Sequence, residues 1–165
     1  MPDLLWDDVR DFFDPGLMGA LPDVCVPGTT ADDWQAVFDL ARSRGWAWTY
    51  AEGGVTRPLP RAADVLARQE GAETAVLGVS PVPGVSMVFR VFSAAEVDFD
   101  IDLRELRGQE GVDVLCAFLR AVGRRLGKPV LMSAEGDGGN PVLGFDPEAG
   151  RVVLLADPRT LRPLT

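Results

Sequence analysis

Apolar residues recur with helical spacing in four segments of the chain. Side chains three or four residues apart share one face of a helix. This spacing predicts helices over residues 4–13, 30–45, 61–68 and 112–126. In the second segment, Thr30 followed by Asp33 matches a capping box, and Gly45 suits the end of the helix.

Between these helices the pattern changes to short stretches rich in β-branched and aromatic residues, bounded by Gly and Pro. Such stretches are typical of strands. They predict strands at residues 24–26, 46–50, 55–59, 74–79, 85–92, 97–103, 129–132, 142–145 and 151–155. The rest of residues 15–29, with three Pro and three Gly, is predicted to be irregular. The links between the last three strands are too short for parallel crossovers, so these strands are predicted to be antiparallel.

The chain has 165 residues, of which 47% are hydrophobic. This length and composition suit one globular domain with a single core. Helices interspersed with short hairpins indicate an α+β fold. We predict a single α+β domain over residues 1–157, with a mixed or mainly antiparallel sheet and two to four helices. A loose C-terminal tail is predicted over residues 158–165.

The predicted strand over residues 97–103 has an acidic face. Asp98, Asp100 and Asp102 alternate with the apolar residues at 97, 99, 101 and 103. On a strand these carboxylates project from one face, about 6.5–7 Å apart. They could form a solvated surface, a face that docks on a basic partner, a divalent-cation site or an aspartate-based catalytic site.

Acidic residues outnumber basic residues by 25 to 16, a formal net charge of -9. Residues 1–40 contain nine Asp and one Arg. A field of this sign repels nucleic acid and anionic lipid and attracts basic proteins. We therefore predict a protein partner with a basic surface, no nucleic acid and no membrane. The candidate interface residues are Asp98, Asp100, Asp102 and Glu105, together with Asp7, Asp8 and Asp11.

The composition excludes several kinds of chemistry. There is no histidine, and Lys128 is the single lysine. Histidine-based nucleophile activation and histidine metal ligation are therefore impossible within this chain. The remaining residues lack the spacing of a metal site, so we predict no catalytic residue, no metal and no cofactor.

Cys25 and Cys116 are the two cysteines, and both lie in apolar segments. Two free buried thiols in a reducing compartment are expected, with a single disulfide as the alternative. The chain begins without a basic, apolar leader, and no stretch approaches the ~18 apolar residues of a membrane span. These features predict a cytoplasmic protein.

Several segments resemble small acidic actinobacterial proteins of unassigned role, including immunity-type partners of polymorphic toxins. The resemblance is carried by Glu96–Leu106, Cys116–Arg120, Gly127–Val130 and Pro141–Asp146. It implies that the chain neutralises a toxin by binding it.

The sequence thus predicts a non-enzymatic, acidic protein-binding module, with an immunity protein that occludes a basic toxin surface as one instance. Two alternatives remain open. The first is a carboxylate-dependent, divalent-cation enzyme or small-ligand protein that uses Asp98, Asp100 and Asp102. The second is a structural subunit that assembles with copies of itself through a strand edge.

Overall fold

Nine strands form one antiparallel sheet in the computed structural model, which describes residues 1–160. The strands are β1 Asp23–Pro27, β2 Ala47–Glu52, β3 Val55–Thr56, β4 Ala75–Ser80, β5 Met87–Arg90, β6 Glu96–Asp100, β7 Val130–Ser133, β8 Pro141–Asp146 and β9 Arg151–Leu154. Their order across the sheet is β3-β2-β4-β5-β6-β1-β7-β8-β9. The first strand of the chain therefore lies inside the sheet, between β6 and β7.

Five α-helices accompany the sheet within the described residues: α1 Trp6–Val9, α2 Pro15–Met18, α3 Ala31–Ser43, α4 Ala62–Leu66 and α5 Gly108–Leu126. Short 3₁₀ helices span Arg10–Phe13, Leu103–Glu105 and Pro158–Thr160. The predicted α+β class is confirmed, and the sheet is antiparallel throughout. The predicted number of helices, two to four, is wrong.

The additional helix is α2, in the segment predicted to be irregular. The Asp14 carboxylate accepts a hydrogen bond from the Gly16 N–H at 2.8 Å, and Pro15 occupies the first helical position. A capping aspartate followed by proline favours the start of a helix. This segment was predicted to be irregular because Pro and Gly residues surround the start of the helix.

The two long helices pack on one face of the sheet, here termed the inner face. Trp34 of α3 contacts Phe89 of β5, with ring centroids 6.3 Å apart. Phe118 of α5 contacts Phe99 of β6 edge-on, at 5.4 Å. These side chains are buried in one continuous hydrophobic core. The core lies between the helical layer and the inner face, as expected for an α+β fold.

The chain's N-terminal segment protects the edge strand β9. The Asp3 carboxylate accepts the Val152 N–H at 2.8 Å and forms an ion pair with Arg120 at 2.8 Å. Burial opposes ionisation of Asp3, but these two donors outweigh it and hold the pKa of Asp3 below its usual value. One outward N–H of the edge is thereby satisfied, which reduces its capacity to pair with another chain.

Replacing Asp3 with alanine is expected to lower the free energy of unfolding by about 1–3 kcal/mol at pH 7, because Val152 and Arg120 both lose a charged partner. Urea unfolding measures the change. Because the pKa of Asp3 is lowered on folding, its contribution is present at neutral pH and is lost in acid. The exposed Asp7, changed to alanine, is the control, with an expected effect within about 0.5 kcal/mol. Equal effects of the two variants would contradict this role of Asp3.

Part of the predicted C-terminal tail has defined structure, because Pro158–Thr160 forms a 3₁₀ turn. The remainder, residues 161–165, lies outside the described residues. Among the helices of residues 1–160, none combines the length and the apolar character needed to cross a membrane.

Candidate functional site

The helices α3 and α5 pack on the inner face, and the half-buried side chains of β4, β5 and β6 lie on the opposite face of the sheet, here termed the outer face. In these three strands the side chains of the outer face alternate with buried ones. In β6, Val97 and Phe99 are buried, whereas Asp98 and Asp100 are half-buried on the outer face. The alternation predicted from the sequence is therefore correct for these four residues.

Antiparallel pairing brings a second group of residues beside the acidic strand. In β1, Asp23 pairs with Asp100, and Cys25 pairs with Asp98. Residues that pair directly across an antiparallel ladder project from the same face. The central strands β1 and β6 therefore concentrate carboxylates on the outer face.

These residues line a cavity of about 350 Å³, here termed the acidic pocket. Its charged residues are the carboxylates Asp23, Glu96, Asp98 and Asp100 and the guanidinium of Arg90. Its other lining residues include Cys25, Phe92, Leu131 and Ser133. Four carboxylates face one cation, so the pocket carries an excess of negative charge.

The carboxylates of the pocket differ in their partners. Asp100 forms an ion pair with Arg90, and Asp23 accepts the Gly136 N–H at 3.0 Å. Asp98 has no hydrogen bond or ion pair with any residue of the described chain. Asp98 is therefore a half-buried carboxylate whose charge is not matched by a direct partner, which is an energetically unfavourable arrangement.

The pKa values of the pocket reflect this arrangement. Burial, together with the neighbouring Glu96 and Asp100 carboxylates, raises the pKa of Asp98 to about 6, and the more distant Arg90 offsets this only in part. Burial and the Glu96 carboxylate raise the pKa of the Cys25 thiol to about 11. A cation that enters the pocket would favour the ionised form of Asp98.

Asp102 does not belong to this site, contrary to the prediction of three carboxylates on one strand face. Strand β6 ends at Asp100, and Asp102 caps the following 3₁₀ helix. Its carboxylate accepts hydrogen bonds from the Arg104 side chain at 2.9 and 2.8 Å. These bonds lower the pKa of Asp102. Glu105, in the same 3₁₀ helix, accepts the Ser86 N–H at 3.0 Å.

The N-terminal candidates form a separate acidic surface. Asp7, Asp8 and Asp11 are exposed in α1 and the 3₁₀ helix that follows it. This segment is attached to α5 on the helical side of the sheet, since the Trp6 N–H donates to the Gln109 side chain at 2.7 Å. The structure therefore does not join the two groups of candidate interface residues into one surface.

The two cysteines are free thiols. Cys116 is buried in α5, as predicted, but Cys25 is only half-buried on the outer face. Burial raises the pKa of Cys116 to about 12. Among residues 1–160, no three His, Cys, Asp or Glu side chains are placed to share one metal ion.

Among the charged and hydroxyl-bearing residues of the pocket, sequence reasoning missed Asp23, Glu96, Arg90 and Ser133. The alternation of Asp23 and Cys25 with Val24 and Val26 was a usable signal for the face of β1. The sequence did not show which strand pairs with β1, because its partner, β6, lies about 70 residues further along the chain.

Comparisons with family models, with curated proteins and with solved structures find no match to this chain.

Proposed function

We propose that this protein is a non-enzymatic, cytoplasmic binding module that docks through its acidic pocket on a basic surface of another protein. An immunity protein that occludes a toxin is the particular instance we favour. The observation that carries the proposal is the carboxylate of Asp98, which is half-buried on the outer face without a hydrogen bond or ion pair to the described residues. A basic partner would supply the cation that the pocket lacks.

The reactive groups of the chain support binding rather than catalysis. Both thiols have pKa values raised well above neutral pH, to about 11 for Cys25 and about 12 for Cys116, so they are protonated and weakly nucleophilic. The single lysine, Lys128, is ion-paired with Asp33. A binding module needs none of these groups to react.

The same electrostatics suggest a mechanism of docking. Exposed acidic groups accelerate the encounter with a basic partner and orient it, whereas apolar contacts supply most of the affinity. The exposed Phe92 at the pocket gives such an apolar contact beside the carboxylates. Occlusion of the partner's surface would then be steric.

Three double variants with the same change in charge test this proposal. The pocket variant is Glu96→Gln with Asp98→Asn, and the N-terminal variant is Asp7→Asn with Asp8→Asn. The control is Glu70→Gln with Glu148→Gln, two exposed residues that neither line the acidic pocket nor belong to the N-terminal segment. Each variant and the wild type serve as bait in native lysate, and the captured basic protein is then purified for kinetic measurements.

We expect the pocket variant to associate about tenfold more slowly with this partner at low salt. The control and the N-terminal variant should retain association rates close to that of the wild type. The difference should shrink at high ionic strength, because exposed charges are screened over about 8 Å at physiological salt. Equal rates for all four proteins would overturn the proposal, and slowing in the N-terminal variant alone would move the interface to Asp7 and Asp8.

A further inference from the structure

One face of α5 carries opposite charges at its two ends. The exposed acidic residues Glu110 and Asp113 lie near the start of the helix, and the exposed Arg124 and Arg125 lie in its last turn. The exposed Ala117 lies seven residues after Glu110 and seven before Arg124, and residues seven apart share one face of a helix. This face, here termed the α5 face, is therefore acidic at one end, small at its centre and basic at the other end.

Two adjoining cavities lie beside the α5 face and divide its charges between them. The first, here termed the Trp46 cavity, has a volume of about 470 Å³ and includes both acidic residues with Trp46, Val82 and Val114. The second, here termed the arginine cavity, has a volume of about 420 Å³. Its charged residues within the described chain are all basic: Arg44, Arg120, Arg124 and Arg125. Arg44 and Ala117 line both cavities.

The Trp46 cavity is apolar at its base. The Trp46 ring is half-buried, and its centre lies 5.1 Å from that of the buried Phe118. Val82, in the loop between β4 and β5, is 38% exposed at the same cavity. The helix dipole favours acidic residues at the start and basic residues at the end of any helix, but it does not require an apolar cavity between them. An apolar centre with a charged rim is typical of surfaces that bind another protein.

We propose that two copies of this chain pair through their α5 helices, packed antiparallel about a two-fold axis at Ala117. Glu110 would then face Arg124 of the second copy, and the two-fold axis would repeat this contact. The inference goes beyond the proposed function and does not depend on it. The acidic pocket lies on the outer face of the sheet, whereas α5 packs on the inner face.

The spacing of the charges along α5 is symmetric about Ala117. Because a helix rises 1.5 Å per residue, Glu110 and Arg124 each lie about 10.5 Å from Ala117, in opposite directions. Reversing the helix about Ala117 therefore brings each of these charges beside the opposite charge of the second copy. Asp113, four residues before Ala117, meets Arg120, three residues after it, in the same way.

The same rotation matches the cavities and the apolar groups. The Trp46 cavity and the arginine cavity extend in opposite directions along α5 from Ala117. In the antiparallel pair, the Trp46 cavity of each copy therefore lies against the arginine cavity of the other. Val114, three residues before Ala117, lies beside Ala121 of the second copy, four residues after it. A parallel pair would place like charges together, so charge complementarity favours the antiparallel arrangement.

The charges at the two ends of the α5 face are available for this contact. Within residues 1–160, Glu110 and Arg125 form no ion pair. Arg124 donates to the Gly150 carbonyl oxygen at 3.0 Å, which leaves its charge without a carboxylate. Arg120 is already ion-paired with Asp3, so the ends of the helix provide most of the charge matching.

Sedimentation equilibrium of the full chain tests the inference. We expect the wild type to reach twice the monomer mass at micromolar concentrations. The acidic-end variant is Glu110→Arg with Asp113→Arg, and the basic-end variant is Arg124→Glu with Arg125→Glu. Each should weaken self-association at least about a hundredfold, because like charges then face each other across the two-fold axis.

A matched control has the same change in net charge as the acidic-end variant. It is Asp64→Arg with Glu70→Arg, two exposed residues that line neither cavity. We expect this control to self-associate like the wild type. Weakening of the control as large as that of the acidic-end variant would indicate an effect of net charge and would overturn the inference.

Mixing the two end variants separates repulsion from misfolding. In the mixture, the arginine side chains introduced by one variant face the glutamate side chains introduced by the other, and the unchanged ends also carry opposite charges. We therefore expect a heterodimer with an affinity close to that of the wild-type homodimer. Circular dichroism of each variant alone checks that it is folded, since the helix dipole disfavours both sets of changes.

A cysteine at the centre of the α5 face tests the position of the axis. Ala117→Cys should give a covalent dimer under mild oxidation, because its side chain faces that of the second copy and a disulfide requires Cβ atoms about 4 Å apart. Ala63→Cys, at another exposed alanine on a helix, is the control and should give no covalent dimer. The wild type controls for Cys25 and Cys116.

A wild type that stays monomeric up to millimolar concentrations would overturn the inference. So would a dimer that neither end variant weakens, or a mixture of folded end variants that does not associate. If the end variants do not fold, the inference is decided by the cross-link, and a wild-type dimer without a cross-link at position 117 contradicts it. None of these results bears on the proposed function, whose test changes residues of the outer face.

Discussion

Replacing Phe99 with alanine is expected to lower the free energy of unfolding by about 3–5 kcal/mol, the cost of removing a fully buried aromatic side chain. Phe99 is 2% exposed on the inner face of β6. Its ring lies 4.5 Å from that of Phe89 and 5.4 Å from that of Phe118. The substitution opens a cavity where the centre of the sheet meets α5. Urea unfolding at pH 7 measures the loss.

The same substitution at Phe92 is the matched control. Phe92 lies seven residues earlier in the chain and is 67% exposed, so its removal should change the free energy of unfolding by no more than about 0.5 kcal/mol. Phe92→Ala should weaken association with the partner although it leaves the fold stable. Phe99→Ala should reduce association only through the loss of folded protein. Similar losses of stability in the two variants would contradict the assignment of Phe99 to the core.

The apolar pattern predicted most of the secondary structure because several strands have one buried face. When only one face is buried, apolar and polar residues alternate along a strand, and β4, β5 and β6 all show this alternation. The long helix α5 was equally predictable, since one side of it packs on the core. The structure extends it from the predicted start at residue 112 back to Gly108.

The order of the strands could not be predicted in the same way. The alternation of apolar and polar residues shows which side chains share a face of one strand. It carries no information about which strand lies beside it. The acidic pocket depends on the pairing of β1 with β6, which are separated by two helices and four strands in the chain. The sequence therefore indicated Asp98 and Asp100 but gave no reason to group Asp23 with them.

Local ion pairs also altered the predicted acidic face. Arg90 neutralises Asp100 from the neighbouring strand, and Arg104 neutralises Asp102 from the following turn. The alternation of Asp with apolar residues continues beyond the end of β6, so the sequence pattern alone placed Asp102 on the strand. What remains of the predicted stripe of three carboxylates is one unpaired group, Asp98, in a pocket whose other walls come from different strands.

Replacing Asp98 with asparagine is expected to raise the free energy of unfolding by about 2–3 kcal/mol at pH 7. Folding raises the pKa of Asp98 from 3.8 to about 6, because burial and the Glu96 and Asp100 carboxylates disfavour its charge. Each pKa unit corresponds to about 1.36 kcal/mol. Asparagine keeps the shape of the side chain and removes the charge that folding must bury.

The dependence on pH distinguishes this effect from a general gain in packing. Since the pKa of Asp98 is higher in the folded state than in the unfolded state, the folded state binds its proton more tightly between pH 4 and 6. The contribution of Asp98 to the free energy of unfolding of the wild type therefore falls as pH rises through that window. The two proteins should therefore differ little near pH 4, and the difference should reach its full size above pH 6. Urea unfolding of the wild type and of Asp98→Asn at pH 4, 5, 6 and 7 measures the difference in their free energies of unfolding. The contributions of the other titratable groups are common to both proteins and largely cancel in this difference.

Asp100→Asn is the control for this prediction, because it removes an equal charge from the same strand but leaves Arg90 without its partner. We expect it to bring no comparable gain in stability. A gain for Asp98→Asn that is constant from pH 4 to 7 would show that the charge of Asp98 is not its source. If Asp98→Asn is both more stable and slower to associate with a basic partner, the charge at this position costs folding energy and is used in binding, as expected of a residue whose role is recognition.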